Sequence, residues 1–69
     1  MGSGCVIANG KEVPAEFPCS IEAFLLSQGF LPRSVVVEFN GQAVAPSEFA
    51  QRLLQVGDRL EIVRVVAGG

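Results

Sequence analysis

The chain is expected to fold as an α+β domain, a mixed β-sheet packed on one main helix. Three observations predict this. Asn9-Gly10 and Asn40-Gly41 each separate apolar runs, and Asn-Gly is the strongest two-residue hairpin signal, because a type I′ turn needs positive φ at both central positions. One segment, Ser20 to Gly29, carries helix start and stop signals around an apolar stripe. The run Arg59 to Val66 then alternates as a strand.

Composition bounds the possibilities. Sixty-nine residues make one small domain. With 49% hydrophobic and 17% charged residues, the chain can form a core and does not read as disordered. Net charge is −2 and the basic residues are scattered, which leaves nucleic-acid binding without an electrostatic basis. No apolar run approaches a membrane span. Met1-Gly2-Ser3-Gly4 lacks a basic export signal, so a cytoplasmic location is expected, and residues 1–4 are expected to be a disordered extension or linker. Cys5 and Cys19 are too few for a disulfide framework, and with no histidine they have no metal-type spacing.

The elements follow in order. Cys5–Ala8 is a strand, Asn9-Gly10 its turn, and Lys11–Phe17 the return strand. Pro14 cannot donate to a ladder, which makes that strand an edge. Ser20 caps the helix, Glu22 suits its N-terminal dipole, and Ile21, Phe24, Leu25 and the later Leu31 are expected to face the core. Gly29 ends the helix and Pro32 prevents its continuation. In Ser34–Phe39, Glu38 marks the wet face. Val35, Val37 and Phe39 therefore point inward and Val36 outward. Asn40-Gly41 turns into Gln42-Ala43-Val44. Ser47 is expected to cap a short helical piece, Glu48 to Leu54. Gly57-Asp58 leads into the last strand, Arg59–Val66, where Leu60 and Ile62 alternate with Arg59, Glu61 and Val63. A hairpin, a crossing helix and a last strand returning to the middle of the sheet make a β-grasp arrangement. The domain is expected to span residues 5–66, with 67–69 as a flexible tail.

Asn9-Gly10-Lys11, Val35-x-Val37-Glu38-Phe39-Asn40-Gly41-x-x-Val44, Gly57-Asp58-Arg59-Leu60-Glu61-Ile62-Val63 and Gly68-Gly69, in this order, resemble the ThiS family. These are ubiquitin-like sulfur carriers of thiamine biosynthesis. The tail Val66-Ala67-Gly68-Gly69 also resembles the MoaD family, the small subunit of molybdopterin synthase. A ubiquitin-like protein modifier is the third reading of the same tail.

The resemblance implies that Gly69 carries first an acyl-adenylate and then a thiocarboxylate. Gly68 would let the tail bend and thread, with Ala67 near the channel mouth. The implied partners are an adenylating enzyme like the ubiquitin-activating enzymes (ThiF-like), which consumes ATP, a thiazole synthase (ThiG-like) and a sulfur donor protein. No cofactor or metal is expected to be bound. The chain shows no nucleophile-base pair, metal ligand set or phosphate loop, so it is not expected to be an enzyme itself. Val36 and Val63, outward-facing on neighbouring strands, are expected to form an apolar docking patch, and Arg64, near the tail, either to steer acidic groups of the adenylating enzyme or to be a solvated strand-end charge. Glu38 and Glu61 read as solubilising charges rather than an acid/base pair, and the Asn-Gly pairs as turn chemistry.

Overall fold

The structure, a computed structural model, describes residues 2–65. Strand β1 (Gly2–Ala8) pairs antiparallel with β2 (Lys11–Phe17) across Asn9-Gly10. A two-residue strand β3 (Cys19–Ser20) precedes helix α1 (Ile21–Ser27), and a 3-10 turn at Pro32–Ser34 leads into β4 (Val35–Phe39). Then come β5 (Gln42–Val44), a second 3-10 turn at Pro46–Glu48, the short β6 (Leu53–Leu54) and β7 (Arg59–Arg64). The main sheet has the order β2-β1-β7-β4-β5, and β3 and β6 form a separate pair. The last strand lies in the middle, parallel to β1 and antiparallel to β4, as the β-grasp expectation requires.

Alternation along the strands divides the sheet into two faces. Val6, Val35, Val37, Val44, Leu60 and Ile62 are buried beneath α1, which contributes Ile21, Phe24 and Leu25. Each such side chain, fully buried, contributes about 1.5–3 kcal/mol relative to exposure. Phe49 and Leu54 close the same core from the far segment.

Helix α1 is only seven residues long, too short to hold itself, and its ends are fixed from outside. The Ser20 hydroxyl accepts from the Ala23 N–H at 3.0 Å. The Ile21 and Glu22 N–H groups donate to the carbonyls of Arg52 and Phe49 at 2.9 and 3.1 Å. At the other end, Phe30 N–H reaches the Leu25 carbonyl (2.9 Å) and Gly29 N–H the Leu26 carbonyl (3.1 Å). With Gly29 at φ +83°, this is a Schellman stop.

Four expectations are corrected. Gly2, Ser3 and Gly4 are not a disordered extension: they pair with Phe17, Glu16 and Ala15 as the first half of β1. A Cβ on Gly4 would come within 2.7 Å of Val56 Cγ2, so the glycine lets that loop close over the strand. Residues 48–54 do not form a helix beyond the 3-10 turn. The Phe49 and Arg52 carbonyls are taken by the first turn of α1, and Leu53–Leu54 pairs with Cys19–Ser20. Leu31 is 63% exposed, because the Schellman turn brings Phe30 rather than Leu31 back toward the core. The last strand ends at Arg64; the expected Val66 end and the tail 67–69 lie outside the described residues, as does Met1.

The two Asn-Gly turns do more than reverse the chain. Asn9 and Asn40 adopt φ +52° and +50°. Asn9 Oδ1 accepts from the Ile62 N–H at 2.7 Å, and its Nδ2 donates to the Ile62 carbonyl at 3.0 Å. Backbone pairing between β1 and β7 is registered only at Ile7–Arg59 and Ala8–Leu60, so this side-chain amide extends the ladder where β1 has ended. Asn40 Oδ1 likewise accepts from Arg59 N–H at 2.9 Å. Replacing Asn9 by glycine keeps the positive φ accessible but removes both bonds to Ile62. The Asn9→Gly variant is expected to lose about 1–2 kcal/mol of stability in urea unfolding. An unchanged midpoint would show that the amide clasp adds nothing.

Candidate docking face and tail root

Two of the three residues expected to bind a partner lie together on the open sheet face. Val36 on β4 and Val63 on β7 are direct cross-strand partners. They are 52% and 61% exposed among the described residues. The alternation that sends Val35, Val37 and Ile62 into the core leaves them no other side. Val65, one residue beyond β7, is also exposed, and its N–H donates to the Ser34 carbonyl at 2.8 Å. That bond fixes the point from which the remaining four residues depart.

Arg64 points to the other side of the strand from Val63. Its guanidinium carbon stands 5.1 Å from the centroid of the Phe30 ring. This cation–π contact ties the last strand to the end of α1. Arg64 also lines an open groove of about 280 Å³ with Gly29, Leu31, Ser34, Val35 and Val65. The structure therefore places Arg64 at the tail root but not on the face that carries the two valines. Ala67, Gly68 and Gly69 lie outside the described residues.

Glu38 and Glu61 are direct cross-strand partners immediately beside the valine pair. This juxtaposition is invisible until the register of the two strands is known. Among the described residues the recorded ion pair is Arg52–Glu48, elsewhere in the chain; neither Glu38 nor Glu61 forms one. Arg59 is on the same face two residues before Glu61, yet forms no ion pair with either carboxylate.

The cysteines do not form a site. Cys5 is on β1 and Cys19 on β3, both half-buried and free. Burial raises the Cys19 thiol above its ordinary pKa, and its Sγ–H donates to the Ser20 carbonyl at 3.4 Å. Among the described residues there is no cluster of side chains able to hold a metal ion, and no helix is long and apolar enough to cross a membrane.

The fold has close counterparts. The crystal structure of a thiamine biosynthesis protein (ThiS) from Geobacter metallireducens superposes with a TM-score of 0.79 at 22% identity, covering 94% of this chain and 99% of that one. A solution structure of a thiamine biosynthesis protein from the same organism gives 0.76 at 24% identity, covering 94% and 87%. Two curated relatives are named thiazole synthase. The one from Paramagnetospirillum magneticum is 38% identical over 64 residues, which is 93% of this chain and 20% of the relative. The one from Magnetococcus marinus is 34% identical over 61 residues, 88% of this chain and 19% of the relative. The chain thus spans about a fifth of the length of these curated relatives. The sequence pattern of the ThiS family matches residues 6–69, from the first hairpin through both terminal glycines. The chain belongs to the ThiS family.

Proposed function

We propose that this chain carries sulfur on the carboxyl group of Gly69 and delivers it for the thiazole ring of thiamine. The observation that carries this reading is the family match over residues 6–69, which extends through Gly68-Gly69. The thiazole synthase relatives support the destination of the sulfur.

The chemistry is dictated by the carboxylate. It is a poor acyl donor, since its leaving group would be oxide. An adenylating enzyme of the ubiquitin-activating type supplies ATP. A Gly69 carboxylate oxygen attacks the α-phosphorus, pyrophosphate leaves, and an acyl-adenylate forms. The terminal sulfur of a donor protein's persulfide then attacks the carbonyl carbon and expels AMP. A thiol attacks the donor-side sulfur of the resulting acyl disulfide, leaving the donor as a disulfide and Gly69 as a thiocarboxylate. That sulfur is a far better nucleophile than a carboxylate oxygen, and its tether keeps sulfide from being released free. The thiazole synthase is the acceptor.

The chain's own contribution is positional. Gly68 and Gly69 have no Cβ, so the backbone can pass close to a nucleotide in a narrow channel. Ala67 is at the channel mouth. A short tail gives little affinity, and Val36 and Val63 supply the docking surface that holds the domain while the tail is processed. Arg64 braces the tail root through Phe30. The carrier binds no cofactor of its own, ATP being consumed by its partner, and it works in the cytoplasm.

Incubation with ATP, the adenylating enzyme and a persulfide donor is expected to replace one oxygen of Gly69 by sulfur. Fragment masses must place the change, because oxidation of Met1, Cys5 or Cys19 adds nearly the same mass. No ATP-dependent change at Gly69, or a native protein whose Gly69 carboxyl is not free, would refute the reading. Val36→Asp and Val63→Asp are each expected to slow adenylation about tenfold at low enzyme concentration, as loss of roughly 1.4 kcal/mol of docking energy would. Their thermal unfolding should stay close to that of the parent domain, since neither side chain is in the core. Normal adenylation of both variants would remove the patch from the mechanism.

Cys19 offers a different sulfur-carrying group. Only the thiolate is nucleophilic, and a raised pKa leaves less of it at neutral pH. Cys19 is expected to react with iodoacetamide more slowly than the same cysteine in the unfolded chain, with its rate still climbing above pH 9. Faster reaction at Cys19 in the folded protein would contradict this assignment.

A further inference from the structure

The two carboxylates beside the docking valines are a consequence of register. Glu38 and Glu61 face each other across β4 and β7, one strand repeat (about 6.6–6.8 Å) from Val36 and Val63. Like charges directly opposite on a sheet face are unfavourable for the domain alone. Both are exposed, and among the described residues neither forms an ion pair, with Arg59 or with any other cation.

Docking sharpens the conflict. A stable interface covers about 800 Å² on each partner, a patch several times wider than the spacing between the valine pair and the glutamate pair. Any protein that covers Val36 and Val63 therefore also removes water from Glu38 and Glu61. Two adjacent carboxylates cannot be dehydrated unpaired without a large penalty. The partner must bring positive charge to this spot.

The relatives point to one partner of this face. In both, a segment like this chain is built into a polypeptide about five times as long that is named a thiazole synthase. Resting on the carrier reading above, we propose that Glu38 and Glu61 form a seat for a lysine or arginine of the thiazole synthase. The cation lies between the two carboxylates while apolar side chains of the same surface cover Val36 and Val63. The pair then restricts this face to surfaces that bring a cation to it, at some cost to the free domain.

The test is calorimetric titration of the carrier into the thiazole synthase encoded in the same genome, at low and high salt. The Glu38→Gln/Glu61→Gln double variant is expected to bind about tenfold more weakly, with a flatter salt dependence. The isolated variant should unfold at the same temperature as the parent or higher, because repulsion is relieved. Glu12→Gln/Glu16→Gln on the edge strand β2 changes net charge equally and is expected to leave binding unchanged. If the parent binds and the Glu38/Glu61 variant binds equally well, the seat is overturned while the carrier reading stands. Equal weakening by the β2 variant would also overturn it, in favour of net charge. No binding by the parent would overturn the seat together with the choice of synthase as partner.

Discussion

Everything in this domain depends on holding β7 in the middle of the sheet when one of its neighbours is too short. Antiparallel β4 covers β7 along Val35–Phe39, but parallel β1 reaches only Arg59 and Leu60. Beyond that point the backbone of Ile62 would face an open edge. The turn that ends β1 solves the problem. Positive φ at Asn9 reverses the chain and aims its amide back at Ile62, where donor and acceptor replace a missing strand residue. The second Asn-Gly turn repeats the device at the start of β7, with Asn40 on the Arg59 N–H. The most exposed pieces of the hairpins thus pin both halves of the strand that leads to the tail.

Much of this was legible in the sequence, and the failures have identifiable causes. Period-two alternation fixed which residues of β4 and β7 are buried, because a strand with one wet face has no freedom of register once one side is core. Val36 and Val63 were therefore correctly placed outside. The helix was readable because Ser20 and Gly29 are each required by a specific unsatisfied backbone group. Residues 48–54 misled because their apolar spacing fits a helix equally well, and the competing demand is non-local: α1 needs the carbonyls of Phe49 and Arg52. Residues 2–4 misled because Gly-Ser-Gly resembles a linker. The decisive fact, close approach of Val56 to Gly4, belongs to the folded state. The opposition of Glu38 and Glu61 required the strand register, which no single strand contains.

The open face is where the domain departs from what stability alone would favour. The core is wholly apolar, and no buried side-chain nitrogen or oxygen lacks a partner among the described residues. Against that background, two exposed valines beside two opposed carboxylates are the irregularity. Local conflicts of this kind concentrate where a surface has a second use. Arg64 follows the opposite logic: its guanidinium is already engaged with the Phe30 ring, which ties the last strand to the end of α1.

Tail and docking face are also linked by length. The four residues after Val65 can span at most about 14 Å when fully extended. The Val65 N–H is anchored to Ser34, so that reach is measured from the end of the β4–β7 pair. The edge strand β2 is two strands away from β7, about 9.5 Å across the sheet. A partner centred on that edge would leave the tail little reach with which to enter an active site. A partner centred on Val36 and Val63 sits beside the exit, and nearly all of the span remains for threading. Under the carrier reading, a docking surface at the Val65 end of the β4–β7 pair leaves the most span for threading, and the exposed Val36 and Val63 are at that end.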